Sequence, residues 1–175
     1  RARARAQVRE ARQRLVRRLE YMLTSLDPTE RAPDAGLPQV HDTAGAIAVG
    51  ARPFLIAFNV ILRSSDTPVA RQIARKIRAR NGGLPFVKAL GFRLHTRALV
   101  QVSMNLVNYE LTGMTAAYEA VRREADALGV EIQAAEIVGL VPRAALDREA
   151  AYFTKLEDFS EAKILEHQID LCSSV

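Results

Sequence analysis

Four short apolar segments, separated by two helical patterns and one tight turn, constrain the fold more than any other feature. Each segment is rich in branched and aromatic residues and is bounded by Gly, Pro or polar residues, as β-strands are. They cover residues 54–62, 86–94, 98–107 and 132–141. The order β-α-β-β-α-β predicts an α+β fold with the ferredoxin-like arrangement, a sandwich in which both helices cover one face of an antiparallel sheet.

Capping signals set the expected helix ends. Thr67-Pro68 predicts an N-cap followed by Pro at the first helical position, and Gly82-Gly83 predicts the end of that helix. Thr112 is the expected cap of the second helix. Pro142 is expected to begin a further helix that runs through Phe153, and the tail after Glu161 is expected to be a helical extension.

The N-terminal part differs in character from the rest. Residues 1–26 predict a basic amphipathic helix, because apolar residues recur at three- and four-residue steps while eight arginines lie between Arg1 and Arg18. These arginines favour a solvated helix face over a site for a polyanion. Residues 27–51 hold several Pro and Gly residues and predict a linker or binding loop, which leaves 52–175 as the folded domain.

Size and composition exclude several classes of protein. With 175 residues, of which 49% are hydrophobic, the chain can bury a core of its own. It has no apolar run of the roughly 20 residues that span a bilayer, so no membrane contact is expected. Cys172 is the only cysteine and cannot form an internal disulfide, which predicts a reducing, cytoplasmic location.

Alternation along the strands predicts two unlike faces of the sheet. Val100, Val102, Met104 and Leu106 should meet the helices, whereas Gln101, Ser103 and Asn105 should point the other way. Polar residues also interrupt the other strands, at Asn59, Glu136 and Arg93. A sheet face that mixes polar and apolar side chains usually binds a ligand or a partner. The alternative is that residues 1–26 or the C-terminal tail cover this face.

Several segments resemble one family in order and spacing. They are GARPFLIAFNVIL (50–62), GGLPFVKALGF (82–92), QVSMNL (101–106), YEAVRREADALGV (118–130) and EIVGLVP (136–142). Together they resemble the C-terminal subdomain of the glutamate formiminotransferase domain, which animals fuse to a cyclodeaminase. The resemblance covers about residues 17–155.

The resemblance implies an activity and its reactants. A family enzyme moves a formimino group from N-formiminoglutamate to N5 of tetrahydrofolate, its co-substrate, in histidine degradation and one-carbon metabolism. Related members also accept a formyl donor. The family's domain has two subdomains whose sheets face each other across a folate tunnel. The implied partners are therefore folate, formiminoglutamate and an N-terminal subdomain in the same or a separate chain, and homodimerisation stays open.

The resemblance also implies where ligand contacts fall. The family's folate segment corresponds to the loop Gly36, Leu37, Pro38, Gln39, Val40, His41, Asp42, Thr43, Ala44 and Gly45. Glycines at its ends would let backbone amides approach a flat ring or a carboxylate closely. Arg52 and Lys88 are candidates for carboxylate recognition, and Asn59, Gln101 and Asn105 are candidates for an amide-rich tunnel wall.

The chain lacks the family's base motif. In the family a histidine of the N-terminal subdomain is the general base, and of the three histidines here only His41 lies in a loop that could touch a ligand. The expectation is therefore that this chain alone is inactive and supplies binding contacts. No metal site is expected, because Cys and His show no ligand spacing.

Two other functions compete with the enzyme half. The chain could be a non-catalytic folate-binding or dimerisation module that lacks the base. It could also be an RNA-binding domain, since ferredoxin-like domains with basic arms often bind RNA. RNA-recognition domains stack bases on aromatic residues of their central strands, and residues 98–107 contain no aromatic residue. Nucleic acid is therefore not an expected partner.

Overall fold

The computed structural model describes residues 43, 53–94 and 96–173. All of these except Thr43 belong to one compact unit, residues 51–175. The predicted helix 1–26 and nearly all of the predicted linker lie outside the described residues, as does the predicted turn residue His95. Within the described part, no helix is long and apolar enough to cross a membrane.

Within residues 53–173, as far as the structure describes them, four strands and three α-helices follow the predicted order. They are β1 (Ile56–Leu62), α1 (Thr67–Ile77), β2 (Val87–Leu94), β3 (Leu99–Leu106), α2 (Met114–Ala127), β4 (Ile132–Val138) and α3 (Leu165–Ser173). The strands form one sheet in the order β2-β3-β1-β4, and every neighbouring pair is antiparallel. The predicted α+β class is confirmed, and α3 confirms the predicted helical extension at the C-terminus.

The helix face of the sheet holds the core. Alternate side chains of β1 and β3 point to it, and Phe58, Val60, Val102 and Met104 are fully or almost fully buried there. Ala70, Ile73 and Ile77 of α1 recur at helical spacing and are buried in the same cluster. The predicted apolar row of β3 is therefore confirmed as the row that meets the helices.

Gly91 allows α1 to pack very closely on β2. A Cβ atom placed on Gly91 would lie 2.3 Å from the backbone nitrogen of Arg71 and 2.4 Å from the carbonyl carbon of Ala70. No L-side chain fits at that distance, so only glycine permits this spacing of helix and strand.

The two predicted caps are wrong by one residue each. Asp66 occupies the N-cap of α1, so Thr67 is already helical, and the helix ends at Ile77 before a 3-10 turn at Ala79–Asn81. Gly113 rather than Thr112 precedes α2, and neither N-cap residue makes a side-chain capping bond. Thr112 is instead buried, and its backbone N–H closes a turn onto the carbonyl of Asn108.

The helix predicted from Pro142 to Phe153 is wrong. This stretch contains a 3-10 turn at Arg143–Ala145, and a second one follows at Phe153–Lys155. Tyr152 explains the difference, because its ring is fully buried and lies edge-on to Phe58 with ring centroids 5.6 Å apart. Its hydroxyl also accepts a hydrogen bond from the N–H of Asp147 at 2.8 Å. A burial site fixed by tertiary contacts thus overrides the local helical signal.

The segment after Tyr152 covers the β4 edge of the sheet. The N–H of Glu157 donates to the carbonyl of Ala135, and Val141 exchanges backbone bonds with the segment at Lys163 and Leu165. Covering an edge in this way satisfies backbone groups that would otherwise attract another strand.

Candidate functional site

The side of the sheet opposite the helix face combines polar and apolar side chains, and we call it the mixed face. The strand register places on it Ala57, Asn59, Ile61, Lys88, Leu90, Phe92, Leu94, Leu99, Gln101, Ser103, Asn105, Ala134, Glu136 and Val138. The predicted division into two unlike faces is therefore confirmed for these strands. Arg93 is an exception to the prediction, because it pairs with Val100 in register and lies on the helix-face side.

A pocket of about 460 Å³ lies at the β2 end of the mixed face. Two of its apolar walls, Leu90 and Phe92, are 56% and 46% exposed, which is high for large hydrophobic side chains. The lining also includes three cationic side chains and two small polar ones: Arg78, Arg80, Lys88, Ser103 and Asn105. Such a mixture of apolar walls and a few polar groups is typical of a small-molecule site.

The cationic side of this pocket favours an anion. Arg78 follows the end of α1, and desolvation together with the nearby charges of Arg80 and Arg75 lowers its pKa. Its guanidinium Nε donates to the side-chain oxygen of Asn81, which fixes its position. A negative ligand would reduce the repulsion between these positive side chains, so this cluster would stabilise bound carboxylates or phosphates.

A second polar feature lies towards the β4 side of the same face. Asn59 is only 7% exposed, and its side-chain Nδ2 donates to Oε2 of Glu136 at 2.9 Å. The two residues are direct partners in the register of β1 and β4. The buried amide therefore finds the hydrogen-bond partner that it needs, and it orients a half-buried carboxylate.

One cation lies close to this carboxylate but is already paired. Arg97, in the turn between β2 and β3, bonds Glu157 with 2.6 Å between Nη1 and Oε2. The hydrogen bond and charge of Glu157 raise the pKa of Arg97, with smaller contributions from Asp158 and Glu136. Glu136 is thus within electrostatic reach of Arg97, while the guanidinium makes its hydrogen bond elsewhere.

The pocket and the carboxylate belong to one row across the sheet. The register aligns Leu90 with Ser103, Ser103 with Asn59, and Asn59 with Glu136. Neighbouring strands lie about 4.8 Å apart, so Ser103 and Glu136 are separated by about 10 Å. The mixed face therefore has a basic end at β2 and an acidic point at β4, within reach of one small molecule.

The structure brings some of the predicted site residues together and not others. Lys88 and Asn105 line the pocket, whereas Gln101 and Asn59 lie on the same face outside its lining. Thr43 is exposed in a turn. The remaining predicted loop residues, Gly36 to Asp42 with Ala44 and Gly45, lie outside the described part, as does Arg52.

The predicted site residues did not include Arg78, Arg80, Phe92 or Glu136. A signal for the two arginines was present in the RKIRAR run at the end of α1, where basic residues continue past the last apolar position. Glu136 was visible as a polar residue inside an apolar strand, but only the register shows that it faces Asn59. Among the described residues, no group of three or more His, Cys, Asp or Glu side chains is arranged to hold a metal ion.

Fold and site together define an α+β domain in which helices cover one face of the sheet, and a pocket with cationic lining residues lies at the β2 end of the other face. Residues 57–172 match the family described as formiminotransferase domain. The chain belongs to this family, which confirms the resemblance found in the sequence.

Named relatives agree with this assignment. The chain is 48% identical over 156 residues to a glutamate formimidoyltransferase of Thermoplasma acidophilum, an alignment that covers 89% of this chain and 51% of the relative. It is 41% identical to the glutamate formimidoyltransferase of Streptococcus pyogenes serotype M1, with 86% and 50% covered. It is 37% identical to the formimidoyltransferase-cyclodeaminase of Rattus norvegicus, with 87% and 29% covered. The chain thus spans about half the length of the first two relatives.

Proposed function

We propose that this chain is the C-terminal, ligand-binding half of a cytoplasmic enzyme that transfers a formimino group from N-formiminoglutamate to N5 of tetrahydrofolate. Residues 52–175 would form this half, residues 27–51 a linker with the folate loop, and residues 1–26 a basic helix. The observation that carries the proposal is the mixed face, because a formiminotransferase-family domain here presents a basic pocket beside apolar and amide side chains.

The side chains of the pocket fit the chemistry of the two reactants. Both formiminoglutamate and the glutamate tail of folate carry carboxylates, for which Lys88, Arg78 and Arg80 are suitable partners. Phe92 and Leu90 offer exposed apolar surface for a flat pteridine ring, and Asn105 and Gln101 can supply amide hydrogen bonds to its edge. Arg52 and the loop from Gly36 to Gly45 remain proposed contacts to folate.

The proposed role of this half is to position the reactants. N5 and the formimino carbon must be held within about 3.5 Å of each other, and holding two reactants in this way removes much of the entropic barrier. A base must also take the proton of N5, and we assign that base to the N-terminal half rather than to His41. The mixed face would then form one wall of a cleft that the other half closes.

Complementation tests this proposal. This chain and a separately produced N-terminal half of the Thermoplasma relative are assayed alone and together for formimino transfer to tetrahydrofolate. Transfer by the mixture, with none by this chain alone, is the expected result. Folate binding to this chain without transfer in the mixture would favour the non-catalytic module. Absence of both binding and transfer would overturn the proposal.

Charge-matched variants tie the result to the pocket. Lys88→Gln removes a cation from the pocket lining, whereas Lys155→Gln removes one from the 3-10 turn after Tyr152. We expect Lys88→Gln to lower folate affinity about tenfold, because a charge-assisted hydrogen bond contributes about 1.5 kcal/mol. Lys155→Gln should leave folate affinity unchanged. Equal losses in the two variants would show only a general effect of net charge.

A further inference from the structure

The Asn59–Glu136 pair is the strongest feature that folate binding leaves unexplained. Folate carries carboxylates on its tail, which a carboxylate on the binding face would repel, and its ring offers N–H donors but no positive charge. Glu136 is half-buried, and its Oε2 accepts from Asn59 at 2.9 Å. Its Oε1 has no hydrogen-bond partner among the described residues. A partly buried carboxylate whose hydrogen-bond partner is a neutral amide, and whose nearby cation Arg97 is bonded to Glu157, favours a cationic ligand.

We infer that Glu136 binds the formamidinium group of the formimino donor. This inference rests on the proposed function and assigns a new role within the same site. A formimino group attached to an amine is an amidine, a strong base that is protonated near neutral pH. Its planar cation offers N–H donors on both nitrogens, as the guanidinium of arginine does, and a carboxylate accepts such a pair bidentately.

The charges on the mixed face determine how formiminoglutamate is oriented on the sheet. Its side-chain carboxylate is repelled by Glu136 and attracted by Arg78, Arg80 and Lys88 at the β2 end. Its amidinium has the opposite preference. Glu136 and Ser103 at the pocket wall are about 10 Å apart, a distance that a glutamate chain and a long cationic side chain can bridge.

Arg97 is the competing cation and does not occupy this place. Its Nη1 lies 2.6 Å from Oε2 of Glu157, outside β4, so its charge is already compensated. Asn59 is a positioning residue here, because its amide donates to Oε2 of Glu136 and holds the carboxylate in place, while each carboxylate oxygen keeps a lone pair for the ligand.

The transfer step conserves atoms, protons and charge when Glu136 has this role. A bond forms between N5 and the amidinium carbon, and the bond from that carbon to the glutamate nitrogen breaks. The proton lost from N5 is matched by the proton gained by the departing amine, and nothing is oxidised or reduced. Donor and product are both amidinium ions, but N5 carries no hydrogen after the step, so Glu136 would then hold the group through the N–H groups of its terminal nitrogen.

Two nearly identical ligands test the inference on this chain. N-formimidoyl-L-glutamate carries the cation, whereas N-formyl-L-glutamate has an oxygen in its place and is neutral at that position. Calorimetric titration should give the unsubstituted chain at least about tenfold higher affinity for the formimidoyl compound, as a charge-assisted pair predicts. In Glu136→Gln the two affinities should agree within about twofold, with that for the formyl compound unchanged or raised, because its carboxylates are no longer repelled.

A matched control removes a carboxylate from the start of β4 without touching the mixed face. Glu131→Gln breaks an exposed ion pair with Arg63, whose atoms are 3.3 Å apart, and should leave the preference intact. Thermal unfolding verifies that each variant is folded. A preference that survives in Glu136→Gln overturns the inference. Equal affinity of the unsubstituted chain for both ligands, including no binding of either, overturns it as well.

The complementation assay separates this inference from the proposed function. Transfer by the mixture that is unaffected by Glu136→Gln would leave the function standing and remove Glu136 from it. A Glu136-dependent preference for the formimidoyl compound without any transfer would support the role of Glu136 and count against the proposed function. Asn59→Ala adds a positioning readout, because it should reduce the ratio of the two affinities more than it reduces binding of the formyl compound.

Discussion

The two faces of the sheet are built from the same four strands but differ in burial and in charge. On the helix face every strand contributes apolar side chains, and Phe58, Val60 and Met104 are removed from water. On the mixed face Leu90 and Phe92 remain about half exposed, and charged residues lie on both outer strands, with Lys88 on β2 and Glu136 on β4. Stability is therefore concentrated on the helix face, while the β2 side of the mixed face keeps exposed surface and charge that folding does not use. Nearer the other edge of the mixed face, Asn59, Ile61 and Ala134 are buried.

The largest expected effect is a difference between the two faces in how much a substitution lowers the free energy of unfolding. Phe58→Ala should lower the free energy of unfolding by about 4 kcal/mol, because it leaves a cavity under Tyr152. Leu90→Ala, on the mixed face, should lower it by less than about 1 kcal/mol, since more than half of that side chain is exposed. Urea denaturation measures both. Similar losses would mean that the mixed face is also core.

Close packing on the helix face gives the next effect. Gly91→Ala should cost about 2–3 kcal/mol, because its Cβ would meet the backbone of Ala70 and Arg71 and push α1 away. Gly139→Ala is the control: its φ is +79°, but nothing lies within 4 Å of the new Cβ. That variant should cost about 1 kcal/mol from backbone strain alone. An equal cost for both would show that helix and strand are not locked at Gly91.

The hydroxyl of Tyr152 should contribute about 1 kcal/mol. Tyr152→Phe keeps the edge-on contact with Phe58 and leaves the N–H of Asp147 without its acceptor. Thermal unfolding at neutral pH checks this value. No change in stability would show that water replaces the hydroxyl.

The same residue makes stability depend on alkaline pH. Burial raises the pKa of Tyr152 above its ordinary value. The unfolded chain therefore loses this proton first, near pH 10, so the stabilisation is complete below about pH 10 and is lost as pH rises through the folded pKa. Unfolding followed from pH 8 to 11 should show a smaller alkaline loss in Tyr152→Phe than in the unsubstituted chain. Parallel curves would contradict this origin.

The smallest stability effect belongs to the mixed face. Leu90→Asp should change the free energy of unfolding by no more than about 0.5 kcal/mol, because the side chain is largely exposed. Folate affinity should nevertheless fall about tenfold, since an added carboxylate would repel the carboxylates of folate in the pocket. Fluorescence titration measures the affinity. Unchanged affinity would move the folate site away from β2.

Local sequence signals were sufficient for the elements that the helix face requires. Alternation along β3 and helical spacing in α1 each identify a buried stripe, and the structure buries both. The signals failed where tertiary contacts decide. Tyr152 inserts into the core and breaks a predicted helix, and Asp66 takes the capping position expected of Thr67.

Much of the candidate site could not be predicted because it depends on register. Lys88 and Asn105 were identified as single residues and do share the pocket. Glu136 was visible as a polar residue in an apolar strand, but its partnership with Asn59 joins residues 77 positions apart. The arginines of the pocket lie after the end of α1, where helical periodicity no longer indicates which way a side chain points.

Methyl NMR during a titration with 5-formyltetrahydrofolate tests the central claim most directly, because methyl groups report the two faces separately. Leu90, Leu99, Ile61 and Val138 represent the mixed face, and Ile56, Val60, Val102 and Ile137 represent the helix face. We predict saturable shifts that begin at Leu90 and are confined to the mixed face. Shifts confined to the helix face, or no saturable shift at any methyl group, would contradict the account.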